Sequence, residues 1–201
     1  MKRDHQGKRL QNTKIAIIAS DYFEEVELTK PRDALRTEGA ETILITPKGR
    51  RIMSMNHDEK GSQFEADLSL TEADADDFDA VLLPGGAMNA DRLRMNIHAR
   101  DFIRRIDEID KPIAAICHAP WILVSAGLVK GRMLTSYYTL QDDIRNAGGR
   151  WLDMEVVHDW NWVSSRDPND LPAFIDVMTT LFEQYCRADI DEAEVSASKS
   201  N

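Results

Sequence analysis

Short apolar runs alternate along the chain with longer segments in which apolar residues return every three or four positions. The runs Lys14–Ala19, Thr42–Thr46, Asp79–Leu83, Ile113–Ile116 and Trp162–Ser165 predict strands, and several are apolar almost throughout, as strands covered on both faces are. Between them, helical spacing is clearest over Ile97–Ile109, where Phe102, Ile103, Ile106 and Ile109 recur at the right intervals. Further helices are predicted from about Glu24 to Glu38, stopped by Gly39, and after Cys117-His118, ending near Gly127. Two more are predicted over Thr139–Ala147, closed by Gly148-Gly149, and over Pro172–Tyr185, opened by its proline. Residues 48–70 carry turn residues and short alternations that predict a small hairpin excursion. Strand and helix in alternation give an α/β fold with a mostly parallel, doubly wound sheet. Residues 1–13 and 187–201 are polar and read as tails on a single domain spanning 14–186.

Composition narrows the classes of function. The 42% hydrophobic content over 201 residues fits one packed domain and rules out global disorder. Lys+Arg 25 against Asp+Glu 35 leaves a formal charge of −10, which repels nucleic-acid backbones and anionic lipid surfaces. Apolar runs such as Ile15–Ala19 fall far short of the ~18 residues of a membrane span, and no apolar stretch follows the basic first residues as it would in an export signal. Two cysteines, Cys117 and Cys186, are too few for a disulfide scaffold, so a cytoplasmic location is expected. The histidines lack metal-ligand spacing, and neither a metal nor another cofactor is expected.

In a doubly wound sheet, ligands sit beyond the carboxyl ends of the strands, where helix N-termini present free N–H groups. Three features fall at such ends: Asp21–Glu27, Pro84-Gly85-Gly86 and Cys117-His118. Cys117 marks a strand-to-helix elbow, a turn that lifts a side chain out of the sheet towards unpaired N–H groups. A thiol of pKa ~8.5 is about 3% ionised at pH 7, and near-complete ionisation needs a drop of about three units, or 4 kcal/mol. A helix end supplies ~0.3–2 kcal/mol of that, so further hydrogen bonds to the sulfur are required. A buried structural cysteine is the plain alternative, against which stand the adjacent histidine and the facing Gly-Gly loop. Cys186 has no such company and reads as packing or surface.

His118 is a candidate general base or acid, but it reaches a group beside Cys117 only if the elbow departs from regular helix geometry, and it needs an orienting acid. Asp21 and Glu24 fit a D-x-x-E capping box, the structural explanation of that segment. A charged carboxylate beside Cys117 would raise the thiol pKa, so a catalytic Glu24 must be protonated and donate its hydrogen to the sulfur. Gly85-Gly86 is an ordinary turn signal. With no side chains in the way, the Gly86 and His118 N–H groups can also share one crevice as an oxyanion hole, an effect worth ~3–4 kcal/mol per donor. Trp151, Trp160 and Trp162 read as core or interface aromatics. No GxSxG, P-loop or GxGxxG pattern occurs.

FEEVEL after the first strand, LLPGG after the third, AICHAPWILVSAGLVKGR around the cysteine and NWVSSRDPNDLPAF near the end form four ordered motifs. Together they resemble the ThiJ/PfpI family, within the superfamily that holds class I glutamine amidotransferases, over roughly residues 14–185. The PfpI intracellular-protease or general-stress-protein branch is the most similar. The resemblance implies a flavodoxin-like three-layer sandwich with Cys117 as nucleophile, His118 beside it, Glu24 hydrogen-bonding the thiol and Glu27 assisting. It also implies that the acid orienting His118 comes from a neighbouring subunit, at Asp91 here, so that a homodimer or higher oligomer, up to a hexamer, completes the site. The chain departs from the pattern by a one-residue insertion in that loop, by Asp in place of Glu, and by Ala119 where glycine is frequent. The amidotransferase pattern, GxCxG with a downstream H-x-E, is not met.

The leading expectation is a cytoplasmic cysteine enzyme that attacks an electrophilic carbonyl, as a peptidase or as a deglycase- or glyoxalase-like stress-protective enzyme. Its substrate would be a small aldehyde, a glycated side chain or a peptide. The competing class is a redox-sensing stress protein or chaperone whose Cys117 is oxidised without turnover. A third, a holdase, would not use the thiol at all.

Overall fold

The structure, a computed structural model, describes residues 8–199, with side chains as far as residue 186. β1 (Lys14–Ile18) leads through the two-residue β2 (Phe23–Glu24) into α1 (Glu25–Thr37). β3 (Glu41–Thr46) precedes a hairpin of β4 (Ile52–Asn56) and β5 (Glu59–Phe64), then the short β6 (Leu68–Ser69). β7 (Ala80–Leu83) is followed by α2 (Ala87–Met95) and α3 (Ile97–Glu108), and β8 (Ile113–Ile116) by α4 (Pro120–Ala126). β9 (Met133–Leu134), α5 (Gln141–Asn146) and β10 (Arg150–Trp151) come next. β11 (Val156–Asp159), β12 (Trp162–Ser165) and α6 (Leu171–Lys199) follow.

The main sheet has seven strands in the order β11-β12-β8-β7-β1-β3-β6, parallel except for the β11–β12 pair. Because successive side chains leave a strand on opposite faces, each central strand feeds two cores. Ile15, Ile17, Leu82 and Ile116 pack with Leu28 and Leu35 of α1 and Phe174 and Phe182 of α6. Ile18, Val81, Leu83 and Ile113 pack with Phe102 and Ile106 of α3 and Leu123 of α4. At ~1.5–3 kcal/mol per fully buried large apolar side chain, these two layers hold the strand ends that carry the site. The architecture is therefore the expected three-layer α/β sandwich, and β4–β5 is the expected hairpin, joined by β2 into a small second sheet.

The structure departs from the sequence reading at four places. Residues 8–13 are not a loose tail: Leu10 is buried and its N–H bonds Glu38 O at 2.9 Å, while Arg9 pairs with Glu38 and Glu183. The last helix does not stop at Tyr185 but runs to Lys199, through a segment rich in Ala and Glu with no Gly or Pro to break it. α2 was not anticipated, since its nine residues turn only Asn89, Ala90 and Leu93 inward. Finally, the capping box does not form, because α1 starts after Glu24 and the Asp21 carboxylate instead accepts the Met53 N–H at 3.0 Å.

Candidate active site

The elbow after β8 is a backbone held at an unfavourable angle. Cys117 has φ +62°, a region disfavoured for a residue with a side chain. It is pinned from both sides, its N–H bonding Ser165 O at 3.0 Å in continuation of the β8–β12 ladder, and its C=O accepting Tyr137 N–H at 2.8 Å. Helical geometry resumes at Ala119, with Pro120 opening α4. The two residues thus stand outside the helix, which frees them from its 100° divergence and brings His118 Nδ1 to 3.2 Å from Cys117 Sγ. The His118 ring stacks on Tyr137, with centroids 4.5 Å apart.

The carboxyl group on the sulfur is that of Glu27, not Glu24. Glu27 is fully buried one turn into α1, on the face that also buries Leu28, Pro31 and Leu35. Its Oε2 accepts the Gly85 N–H at 2.8 Å, it hydrogen-bonds the Cys117 thiol, and Oε1 has no partner among the described residues. Glu24 lies just ahead of the helix, in β2, paired with Met55 of β4. Its carboxylate turns to that hairpin and accepts the His57 N–H at 3.1 Å. It still lines the cleft, so the structure brings both glutamates to the site but exchanges the roles expected of them.

Burial pushes the Glu27 carboxyl up to about 8, so it keeps its proton at neutral pH. For Cys117 the direction differs from the expected one. Burial and a charged Glu27 push the thiol up, while the N–H groups of Gly86 and His118, both aimed at the sulfur, pull it down. Thiol and carboxyl are one coupled unit: whichever holds the proton relieves the other of an adjacent charge. Burial lowers His118 to about 4, leaving a neutral imidazole at pH 7. The Gly-Gly pair is required by space as well as angle. A Cβ at Gly85 would stand 2.6 Å from Cys117 Cβ and from Glu27 Oε2, and Gly86 adopts φ +90°.

These groups open into a cleft of about 270 Å³ that Tyr22, Met55, His57, Met88 and Tyr137 also line. Tyr22 falls in the Asp21–Glu27 segment that the sequence marked, and the other four were missed. Met55 and His57 come from the hairpin and Tyr137 from a loop beyond α4, and no local spacing marks them. Asp91 is exposed on α2 and does not line the cleft; it lies on an exposed surface shared with Met88 and Met95. Cys186 is buried on α6, away from the cleft lining. The tryptophans separate: Trp160 is exposed, Trp162 is buried and Trp151 bonds Ser136. Among the described residues no cluster of side chains could hold a metal ion, and no helix is long and apolar enough to cross a membrane.

A nucleophile-type elbow, a Gly-Gly loop and a glutamate from the first helix coincide with a defined family, whose DJ-1/PfpI description matches residues 13–181. The chain belongs to the DJ-1/PfpI family. Among its DJ-1/PfpI relatives, Deglycase PfpI of Pyrococcus furiosus is 43% identical over 162 residues, covering 81% of this chain and 95% of that protein. Protein/nucleic acid deglycase 2 of Escherichia coli is 40% identical over 166 residues, 80% of this chain and 92% of that one. The crystal structure of Drosophila melanogaster DJ-1beta superposes with a TM-score of 0.76 at 26% identity, covering 89% of this chain and 97% of that one.

Proposed function

We propose that the protein is a cysteine-dependent enzyme that adds its Cys117 thiolate to an electrophilic carbonyl of a small aldehyde or a glycated side chain, a deglycase- or glyoxalase-like activity in the cytoplasm. The observation that carries this reading is the set of groups around one sulfur: Glu27, the Gly86 and His118 N–H groups, and His118 Nδ1 at 3.2 Å. With Glu27 protonated, its O–H and the two N–H groups make three donors to a thiolate. As the sulfur attacks an aldehyde carbon, neutral His118 takes the thiol proton on Nδ1, and the C–S bond and an alkoxide form, which the same backbone donors are placed to receive. His118 then returns that proton to the alkoxide, giving a neutral thiohemiacetal. Two relatives named deglycases support the substrate class. His118 has no carboxylate partner among the described residues, and Asp91 of a second copy is the acid we assign to it; the exposed Met88 and Met95 on the same helix favour such a contact.

The test measures methylglyoxal consumption, recovery of the free side chain from a methylglyoxal-glycated peptide, and cleavage of an unmodified peptide. Cys117→Ala should lose the first two by at least ~10³-fold while keeping its fold. Mixing Cys117→Ala with Asp91→Ala subunits should restore part of the activity. Turnover confined to peptide cleavage would shift the reading to a peptidase. Absence of all three, with Cys117 oxidising readily, would replace it with a redox sensor.

A further inference from the structure

A second pocket, of about 330 Å³, lies beyond the carboxyl ends of β1 and β3. Ser20 and Thr46 form its floor, and Lys48, Arg50 and Arg92 bring three cations against the single carboxylate of Asp21. Of the three, only Arg92 has an ion-pair partner among the described residues, Asp21. The side chains of Lys48 and Arg50 have no hydrogen-bond or salt-bridge partner among the described residues, whereas Arg9, Arg32, Arg51, Arg104, Arg105 and Arg166 are each paired with a carboxylate. Asp21 gives little compensation. Its Oδ1 is taken by the Met53 N–H at 3.0 Å, and its Oδ2 is 3.8 Å from Arg92.

The neutral donors are underused as well. Ser20 is buried, yet its hydroxyl reaches acceptors only at 3.4 and 3.5 Å, distances at the weak limit of a hydrogen bond. Asn96 commits its Oδ1 to the Ala99 N–H, which leaves its NH₂ as a donor at the rim. Two unpaired cations, a third fixed beside them by the Asp21 carbonyl at 3.3 Å and the face of Tyr22 at 4.7 Å, and two neutral donors around one cavity match a tetrahedral dianion that accepts hydrogen bonds on several oxygens. We propose that this pocket binds the phosphate group of a small phosphorylated molecule. The site is separate from the cleft at Cys117 and independent of the chemistry assigned there; the Asp21-Tyr22 turn divides the two, Asp21 lining one and Tyr22 the other.

Calorimetric titration of the whole protein with glucose 6-phosphate, inorganic phosphate and unphosphorylated glucose, at fixed ionic strength, tests this. The expected result is saturable binding of the phosphorylated compound with Kd on the order of 0.1–1 mM and none of glucose. Lys48→Ala/Arg50→Ala should weaken that binding at least tenfold with an unchanged melting temperature, since both residues are exposed and unpartnered. The single change Arg50→Lys should retain most of the affinity. Glucose 6-phosphate binding tighter than phosphate identifies an organic ester as the ligand, and equal binding identifies free phosphate; both uphold the site. No saturable binding of either, or binding undiminished in the double variant, overturns the proposal.

Discussion

Two buried carboxylates, Asp159 at the end of edge strand β11 and Glu27 on α1, are treated in opposite ways. Asp159 receives the Arg132 Nε at 2.7 Å and the Met133 N–H, and Arg132 is held further by Asn161 and by the face of Trp162, 3.8 Å away. Glu27, more deeply buried, is given one backbone N–H, a thiol and no cation, with one oxygen unpartnered. A buried carboxylate with a cation stays charged and cross-links the fold. One denied a cation keeps its proton, and that proton is then available to a neighbour.

The contrast can be broken most forcefully at Arg132. Arg132→Leu strands Asp159 without its cation and should cost about 3 kcal/mol in urea unfolding at pH 7, with activity per folded molecule unchanged. Glu27→Gln should do the reverse. The folded-state value of about 8 lies above the ordinary 4.5, so ionisation of Glu27 favours the unfolded chain, and the penalty grows as pH rises from 4.5 to 8. The variant should therefore match the wild type near pH 4 and be the more stable of the two at pH 8, while losing roughly tenfold in turnover. Its thiol alkylation should follow a single titration step where the wild type shows two coupled ones. The smallest effect belongs to His118. Its value of about 4 lies below the ordinary 6.5, so the unfolded chain takes up the proton first and stability is lost as pH falls from 6.5 to 4. His118→Asn should flatten that slope by at most about 1 kcal/mol in thermal unfolding across the window.

The same distinction explains what could be read from the sequence. Strands β1, β7 and β8 were legible to within a residue because they are covered on both faces and so read as apolar runs. Cys117-His118 was legible because a strand running straight into a helix leaves few places for such a pair. The choice between Glu24 and Glu27 was not, for it depends on where α1 begins: Glu24 stands just before that start and Glu27 within the first turn, on the inward face. Tyr137 and His57 were invisible because only the assembled sheet brings their segments to the cleft. α2 escaped because it buries a polar Asn89, whose Oδ1 accepts the Ser20 N–H at 2.7 Å, where an apolar residue would have announced a helix.

The β4–β5 hairpin is fastened to the domain by acidic residues at the start of α1, Glu24 through His57 N–H and Glu25 through Ser54 and Ser62. It carries Met55 and His57 to the mouth of the cleft but contributes nothing to the elbow. Entry and reaction are therefore built from separate stretches of chain. Grafting a hairpin of different length or charge between Thr46 and Leu68 would retune which molecules are admitted while leaving the sulfur's surroundings as they stand.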